Sequence, residues 1–414
     1  MGDKLSSGKK LKFLFVSSDK FPPFRVDVAA LFGQEMVRRG HSIDWLLQSK
    51  DPCNSPYRTR WSGCRVWVGV TDNGTSRFSR LRKHIYSIMH DFKMFSLVRH
   101  NKYDFVQVKD KFVSGLMAIL LSRLNGIKFV YWLSYPFPEA NLYSSREGTA
   151  RYPLFYFIRG LIFKVLLYRV IMPRADHIFV QSEQMKKDVS SMGLPDEKLT
   201  PVPMGVSLEM FPYEQKKAFP ELSKDYKGVL YLGTLMKVRR MDFLIRVFEK
   251  VLNEVPNAKL YMVGGSEDPA DEKFLMDEAA KLGIGHAIVF TGFLPRQEAL
   301  HHVKKADVCV SPFYPTPILN STSPTKLIEY MAMGKAVVAN DHPEQRLIIE
   351  ESGAGICVPY QEKVFADAIV ELLHHPDRAE EMGKRGRRYV FKHRSYGKIA
   401  ALVEERYFLI CNSK

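Results

Sequence analysis

Four polar residues that suit binding of a phosphate and a sugar stand close together in the sequence: Ser323, Thr325, Lys326 and Glu329. Lys326 can pair with an anionic diphosphate, and we assign Ser323 and Thr325 to the same group. A carboxylate does not help a diphosphate by charge, but Glu329 can accept hydrogen bonds from ribose hydroxyls. Lys326 and Glu329 are three residues apart, a spacing that places two side chains on one side of a helix.

A helix must hold these residues in place. Ser323 is predicted as the N-cap, Pro324 as the first helical residue, 326–333 as the helix and Gly334 as its end. The free N–H groups of a helix N-terminus attract phosphate. Lys326 in the first turn is unfavourable for the helix dipole, and an anionic ligand at that end would explain its presence.

The segment SPTKLIEYMAMGKAVVAN, residues 323–340, resembles the donor-binding signature of the GT4 family, the retaining glycosyl transferases group 1. The resemblance covers nearly the whole chain and is strongest from about 228 to 360. It implies the GT-B fold, an α/β architecture in which two Rossmann-like domains face each other across a cleft. It also implies a C-terminal helix that returns to the first domain.

The length of 414 residues independently predicts two domains. The first is predicted over residues 1–212, completed by the returning helix at 395–414, and the second over 228–394. A segment rich in Lys, Glu and Pro, residues 213–227, is the predicted linker. The acceptor is expected on the first domain and the nucleotide sugar on the second.

A basic loop follows VLYLG, the first predicted strand of the second domain. Family members usually place an Arg and a Lys in this loop to hold the donor diphosphate. Here Thr234 falls on the Arg position and Arg239 on the Lys position, and Lys237 or Arg240 can take the missing role. A diphosphate without a metal needs such cations. The alternative is a basic surface loop.

The resemblance also assigns the nucleobase and the donor sugar. Phe293 and Leu294 stand where members bind the nucleobase through backbone groups, and Glu329 is assigned to the ribose. The family's first Glu, eight residues before the second, usually contacts the donor sugar. Ser321 occupies that position here, beside Thr322, so this departure bears on the identity of the donor.

Five residues of the first domain are assigned to the donor-sugar and acceptor side. Arg25 and Asp27 stand where many members carry a Gly-Gly pair, and a solvated loop is the alternative for both. Ser134 stands where members commonly hold a His. Glu139 is the nearest carboxylate, for which a loop carboxylate in water is the alternative. Gly205 is predicted to take a positive φ angle, so that the backbone can approach the donor.

The remaining composition favours a cytosolic protein. Five cysteines are few and odd in number, which predicts reduced thiols, with a Cys53–Cys64 disulfide as the alternative. The sequence shows no signal peptide and no run of 18 apolar residues. No Asp-x-Asp motif indicates a metal site, so we expect no metal and no cofactor besides the nucleotide sugar.

The positive charge is concentrated in the first half of the chain. Residues 1–200 hold 32 Lys and Arg against 17 Asp and Glu, a net charge of +15 out of +16 for the chain. Such asymmetry indicates an anionic partner, and the absence of helix-turn-helix, RRM and zinc patterns disfavours nucleic acid. An anionic membrane surface is the alternative that remains.

Two segments carry the membrane hypothesis. Residues 77–99 keep apolar positions at a spacing of three and four among basic residues, which predicts one amphipathic helix of the kind that lies on anionic lipid. A helix packed on its sheet is the alternative. Residues 152–172 are the most apolar stretch, interrupted by three cations, and predict either an interfacial helix or a buried helix between domains.

These features together predict a nucleotide-sugar-dependent glycosyltransferase, retaining and metal-independent, that acts on a glycan or lipid-linked acceptor. It would work on the inner face of the cell membrane in the synthesis of a cell-surface glycan, polysaccharide or glycolipid. Cations and helix amides would stabilise the leaving diphosphate, and no catalytic base is assigned. A sugar-nucleotide epimerase and a catalytically inactive nucleotide-sugar-binding homologue are the alternatives.

Overall fold

The structure, a computed structural model, describes residues 9–23, 25–53, 55–72, 74, 76–211 and 226–412. The chain divides into two compact units, of which the first comprises Met1–Pro203 and Tyr396–Lys414 and the second comprises Met204–Ser395. Positions 213–225 of the predicted linker lie outside the described residues.

A sheet of eight strands among the described residues forms the centre of the first unit. They are β1 (Lys12–Phe21), β2 (Ser42–Ser49), β3 (Tyr57–Trp61), β4 (Cys64–Gly69), β5 (Phe105–Lys109), β6 (Lys128–Leu133), β7 (His177–Val180) and β8 (Leu199–Pro201). The order across the sheet is β3-β4-β2-β1-β5-β6-β7-β8, and every pairing is parallel except that of β3 with β4.

Helices cover both faces of this sheet, as a parallel sheet requires. They are α1 (Arg77–Asp91), α2 (Lys93–His100), α3 (Phe112–Asn125), α4 (Phe137–Arg146), α5 (Pro153–Val165) and α6 (Glu183–Ser191). Two π-helical segments span Asp27–Met36 and Leu166–Ile171.

The single helix predicted over 77–99 is wrong, because the structure ends α1 at Asp91 and starts α2 at Lys93. The buried Asp91 carboxylate lies at this break. It accepts a hydrogen bond from the Ser114 hydroxyl at 2.6 Å and pairs with Lys111 at 2.5 Å.

The side chains of each strand in the first unit alternate between two apolar layers, one on each face of the sheet. On β1, Leu14 and Val16 pack against α2 and α3, whereas Phe13 and Phe15 face the π-helical segment Asp27–Met36. Successive side chains of a strand point to opposite faces, so one buried strand serves two apolar layers. The sheet is therefore buried on both sides.

The last helix, α15 (Tyr396–Asn412), belongs to the first unit, although the second unit precedes it in the chain. Tyr407 lies fully buried against Phe13 and Phe105, with ring centroids 4.7 and 4.8 Å apart, and its hydroxyl donates to Gln107. Arg39 pairs with Glu404 at 2.6 Å. This helix completes one apolar layer of the first sheet.

The second unit is built on six strands among the described residues, all parallel: β9 (Lys227–Leu232), β10 (Ala258–Val263), β11 (Ile288–Phe290), β12 (Val308–Ser311), β13 (Val337–Asn340) and β14 (Gly355–Val358). Their order is β11-β10-β9-β12-β13-β14. The helices are α7 (Asp242–Glu254), α8 (Pro269–Lys281), α9 (Arg296–Lys305), α10 (Pro317–Asn320), α11 (Thr325–Ala332), α12 (Pro343–Ser352), α13 (Glu362–His374) and α14 (Pro376–Tyr389).

The structure bears on the cysteines and on possible membrane-spanning helices. All five cysteines, including Cys53 and Cys64, are free thiols, so the alternative disulfide is not formed. Within the described ranges, no helix combines the length and the apolar character that crossing a bilayer requires.

Candidate functional site

The second sheet has a switch point between β9 and β12. The chain proceeds from β9 outward to β10 and β11, and then returns to the other side of β9 with β12. Parallel strands whose connections leave in opposite directions open a crevice at their carboxyl ends, where α/β sheets bind ligands. The loops that follow β9 and β12 therefore reach the same edge of the sheet, and they carry the predicted diphosphate-binding residues.

Helix α11 begins at this edge. Its N-cap is Pro324, whose backbone is extended, and no described side chain caps the helix. The prediction of Ser323 as N-cap is wrong, because its hydroxyl oxygen accepts the backbone N–H of Met204 at 3.0 Å instead. No described side chain caps the first turn, which begins at the half-buried Thr325, and N–H groups at a helix N-terminus attract phosphate. Gly334 ends the helix with a φ of +71°, as predicted.

Lys326 and Glu329 lie together on α11, as their spacing predicts. Lys326 Nζ is 2.9 Å from Glu329 Oε2, and Arg296 Nη2 is 3.5 Å from Glu329 Oε1. Glu329 is buried, while both cations are partly exposed. The guanidinium of Arg296 also lies over the ring of Phe211, 5.1 Å from its centroid. The carboxylate is thus fixed by two cations at the edge of the sheet.

Tyr330 fixes the position of α11 relative to β9. Its hydroxyl oxygen accepts the backbone N–H of Leu232 at 2.7 Å, and the side chain is fully buried. Leu232 is the last residue of β9, directly before the loop with the predicted cations. The helix N-terminus and that loop are therefore held at a fixed offset.

The four candidates in the loop after β9 have different surroundings. Arg240 adopts a φ of +53°, pairs with Asp242 at 3.3 Å and lies over the Tyr314 ring at 5.2 Å. Lys237 is exposed, 5.9 Å from the ring centroid of Phe274. Thr234 is exposed and its carbonyl accepts the Tyr231 hydroxyl at 3.2 Å. Arg239 is half-buried and, within the described part of the chain, pairs with no carboxylate. Arg239 is the arginine of this loop that keeps its charge available.

The predicted nucleobase residues differ from each other. Phe293 is 64% exposed and lies against Gly265, where an added Cβ would meet its ring at 3.1 Å. Leu294 instead packs into the core. Gly264 has a φ of +129°, and a Cβ there would lie 2.1 Å from the carbonyl oxygen of Gly233. The backbone after β10 therefore approaches the loop after β9 in a way that only glycine permits.

Ser321 and Thr322 lie in a turn that hydrogen bonds to the Leu319 carbonyl stabilise. The Thr322 hydroxyl donates to the Leu319 carbonyl at 2.7 Å, and His342 Nε2 lies 2.8 Å from the same oxygen. Burial lowers the pKa of His342 to about 4, so the ring is neutral at physiological pH and its Nε2 can donate. Ser321 itself is buried.

The first sheet has its own switch point, between β1 and β5. A charged cluster lies there. Lys109, the last residue of β5, is fully buried, and its Nζ is 3.3 Å from Asp19, 3.7 Å from Asp110 and 3.8 Å from Asp27. Arg25 pairs with Asp27 at 3.1 Å and lies 3.8 Å from Asp19. We call these five residues the switch-point cluster.

The members of the switch-point cluster differ in exposure and charge. Arg25 has a side chain that is 32% exposed, whereas that of Asp27 is 1% exposed. Burial alone would raise the pKa of Asp27, but Lys109 and Arg25 hold it below its ordinary value. Asp27 thus has a structural position in this unit, and Arg25 is the member that reaches the surface.

Asp110 links the cluster to Ser134. Ser134 donates its backbone N–H to Asp110 Oδ1 at 2.9 Å, and its hydroxyl donates to Oδ2. Burial raises the pKa of Asp110, and its backbone φ is +56°. Glu139 lies elsewhere, with Oε2 accepting the Tyr168 hydroxyl at 3.0 Å, and burial raises its pKa also. The interpretation of Glu139 as a loop carboxylate in water is wrong, because the side chain is half-buried in α4.

The prediction of a positive φ at Gly205 is wrong, since this residue is not among the glycines with that geometry. The backbone N–H of Val206 donates to the Arg394 carbonyl at 2.9 Å, and Val206 pairs with Ser395 as an isolated bridge. This pairing keeps the segment extended.

Sequence reasoning did not identify Arg296, Tyr330, Asp19, Lys109 or Asp110. Arg296 begins a helix, Lys109 ends a strand and Asp110 follows it, so their positions indicated a site only weakly. Their partners are far away in sequence: Asp19 and Lys109 are 90 residues apart, and Leu232 and Tyr330 are 98 apart. Within the described residues, no three His, Cys, Asp or Glu side chains are grouped as a metal ion would require.

Two family models match the chain. The glycosyl transferase 4-like domain matches residues 27–205, and glycosyl transferases group 1 matches residues 213–389. Together the two models account for most of the chain and follow its division into two units.

Curated relatives share about a quarter of the aligned residues. A putative teichuronic acid biosynthesis glycosyltransferase, TuaH of Bacillus subtilis, is 24% identical over 63% of this chain and 69% of the relative. The alpha-monoglucosyldiacylglycerol synthase of Streptococcus pneumoniae is 23% identical over 70% of this chain and 63% of the relative. An uncharacterized glycosyltransferase of Methanocaldococcus jannaschii is 30% identical over 44% of this chain and 46% of the relative. The matched region thus spans about half to two thirds of these relatives.

Solved structures share the fold over nearly the full length. A sucrose-phosphate synthase from Thermosynechococcus elongatus gives a TM-score of 0.73 at 19% identity, covering 97% of this chain and 99% of that one. HepE of Anabaena, solved with UDP and glucose, gives 0.66 at 14% identity, covering 96% and 100%. At these identities the likeness establishes the fold.

Proposed function

Because the chain belongs to the group 1 glycosyl transferases, with a GT4-like first domain and the GT-B fold, it is a glycosyltransferase, and we propose that its donor is a nucleotide diphosphate sugar. We further propose that transfer retains the anomeric configuration and needs no metal. The observation that carries the donor assignment is the uncapped N-terminus of α11 beside the β9–β12 switch point, with Lys326 in its first turn.

The donor proposal follows from the charge that transfer generates. When the bond between the anomeric carbon and the diphosphate oxygen breaks, negative charge accumulates on the diphosphate. The amides of α11, Lys326 and Arg239, which pairs with no carboxylate among the described residues, are donors suited to that charge, and they take the place that a metal ion would otherwise fill. Glu329, fixed by Lys326 and Arg296, presents a carboxylate to ribose hydroxyls.

The acceptor is proposed to bind the first unit at the β1–β5 switch point, where Arg25 reaches the surface above the switch-point cluster. We propose a glycan or lipid-linked acceptor, in the synthesis of a cell-surface glycan, polysaccharide or glycolipid. The relatives named for teichuronic acid and monoglucosyldiacylglycerol support this class of acceptor. Work on such an acceptor would place the enzyme at the inner face of the cell membrane.

The function is tested with purified protein and a panel of nucleoside diphosphates. The cognate nucleotide is expected to raise the melting temperature, because a ligand that binds only the folded state stabilises it. The matching nucleotide sugar should then transfer its sugar to a lipid or glycan fraction with EDTA present, and NMR of the product should show the anomeric configuration of the donor. Inversion, or transfer abolished by EDTA, would contradict the mechanism.

Glu329→Gln is expected to weaken a ribonucleoside diphosphate more than its analogue without ribose hydroxyls. The amide keeps the shape but accepts weaker hydrogen bonds from the ribose than the carboxylate, by about 1–2 kcal/mol. Calorimetric titration of both ligands measures the difference. Glu298→Gln, an exposed carboxylate on α9, is the matched control and should change neither affinity. Equal losses for the two ligands would make Glu329 a structural residue.

A further inference from the structure

Three helices of the first unit expose apolar side chains where a surface helix normally carries polar ones. Exposed fractions reach 84% for Phe78 on α1, 70% for Leu124 on α3, and 71%, 57% and 58% for Leu154, Ile162 and Val165 on α5. Among the described residues, α1, α3 and α5 supply fifteen of the 29 exposed large apolar side chains. The most apolar stretch of the sequence thus divides, with α5 exposed and the following Leu166–Ile171 segment largely buried.

The three helices are neighbours on one face of the sheet. Asp91 at the end of α1 binds Ser114 and Lys111 at the start of α3. Phe112 of α3 stacks on Phe163 of α5, with ring centroids 4.3 Å apart. We call the exposed apolar side chains of these adjacent helices the apolar face: Phe78, Leu81, Ile85, Met89, Val113, Leu116, Leu120, Leu124, Leu154, Phe155, Phe157, Ile158, Leu161, Ile162 and Val165.

Most charges around the apolar face are positive, although Asp72, which precedes α1 in the chain, accepts a hydrogen bond from Arg82 at 2.6 Å. Residues 73–90, 112–125 and 148–175 contain ten Lys and Arg and no Asp or Glu. The guanidinium of Arg159, in the middle of α5, is drawn onto the Tyr156 ring, 4.4 Å from its centroid, and its Nε donates to Asn141 at 3.0 Å. The centre of α5 is therefore apolar, and the cations that reach water complement an anionic surface.

We propose that the apolar face lies in the interface of an anionic lipid bilayer, with its side chains below the headgroups and its cations among them. This deepens the proposed function, on which the lipid nature of the acceptor rests. Side chains of this type bury apolar area at the headgroup boundary, and lysine and arginine extend to anionic headgroups. Apolar burial supplies most of the affinity in this arrangement, so α3, which has only one cation, takes part as fully as the basic α1.

A second copy of the chain fits this face less well than lipid does. Two copies in symmetric contact would place the same patch against itself. The excess of positive charge in the three segments would then face the same excess on the other copy, which is electrostatically unfavourable. An anionic bilayer can bury the apolar area, and its headgroups attract the cations.

The test compares two triple variants by co-sedimentation with phosphatidylcholine vesicles that contain phosphatidylglycerol. Phe78→Gln, Leu124→Gln and Ile162→Gln together remove one exposed apolar side chain from each helix. Met276→Gln, Val364→Gln and Leu402→Gln together are the matched control, at positions exposed by 45%, 36% and 48% outside the face. The first triple variant should bind vesicles about 100-fold more weakly than wild type, and the control should bind equally.

The salt dependence separates apolar from charge-driven binding. Wild-type protein should stay largely bound in 1 M salt, where the Debye length is about 3 Å, whereas the residual binding of the first triple variant should disappear. Equal binding of both triple variants, complete release of wild type by salt, or self-association of wild type that the first triple variant abolishes would each overturn the proposal. Vesicle binding needs neither donor nor acceptor, so failure of sugar transfer leaves this result intact, and the reverse also holds.

Discussion

Lys109→Met is expected to lower the stability of the first unit by about 3–5 kcal/mol, because removal of one partner of a buried ion pair leaves uncompensated charge. Lys109 is fully buried and is the cation nearest to Asp19 and Asp110 in the switch-point cluster. Methionine conserves the length of the side chain, so the loss reports the charge, including the contact of Lys109 Nζ with the Trp132 ring 5.1 Å away.

The measurement can be confined to the first unit, because all four tryptophans, Trp45, Trp61, Trp67 and Trp132, lie there. Unfolding by denaturant followed by tryptophan fluorescence therefore reports that unit. Lys128→Met is the matched control, since the Lys128–Asp176 pair is about 30% exposed and 3.4 Å apart. A pair of this kind should contribute at most about 1 kcal/mol. Equal losses for the two variants would show that the buried charge is not the cause.

The effect of Lys109→Met should shrink as the pH falls. The folded-state pKa of Asp27 is lowered, so its contribution to stability is present above its unfolded pKa and lost as the pH drops through the folded value. Without Lys109 this contribution is weakened at neutral pH already. Wild type and variant should therefore converge in stability under acid conditions, and a constant difference would contradict this origin.

Arg239→Ala is expected to weaken binding of the cognate nucleoside diphosphate by about 1.5–3 kcal/mol, the range for a hydrogen bond to a charged group. The neighbouring Arg240 supplies the control, because Asp242 and the Tyr314 ring already hold its guanidinium. Arg240→Asn, which tolerates the positive φ, should change the affinity little. Calorimetric titration of both variants checks this, and an equal loss, or none for Arg239→Ala, would remove Arg239 from the diphosphate site.

Helix-capping and spacing rules predicted correctly the features that depend on residues close in sequence. Gly334 ends α11 where a left-handed residue was expected, and Lys326 meets Glu329 across one helical turn. Local rules failed where a distant segment decided the outcome. The Ser323 hydroxyl accepts the backbone N–H of Met204 and does not cap α11. The pairing of Val206 with Ser395 keeps Gly205 extended.

The switch-point cluster shows the same limit more strongly. Lys109 is the last residue of a buried strand and is itself fully buried, a position where a lysine is not expected from its residue type. Its burial makes sense only once β1 and β5 are paired, because that pairing brings Asp19 to it from 90 residues away. Arg239 and Arg240 are adjacent residues of one type with different surroundings, because only Arg240 has a positive φ and, among the described residues, only Arg240 pairs with Asp242.

The position of α15 has a consequence for the order in which the protein can mature during synthesis. The apolar layer around Phe13 lacks Tyr407 until the ribosome has translated the whole second unit, which separates the two parts of the first core. Contacts across so long a separation form late, since the chain between them must exist and close first. The second unit, by contrast, is continuous in the chain. A nascent chain that ends near residue 395 should therefore hold a protease-resistant second unit and a still sensitive first one, so the amino-terminal half of this enzyme completes its fold last.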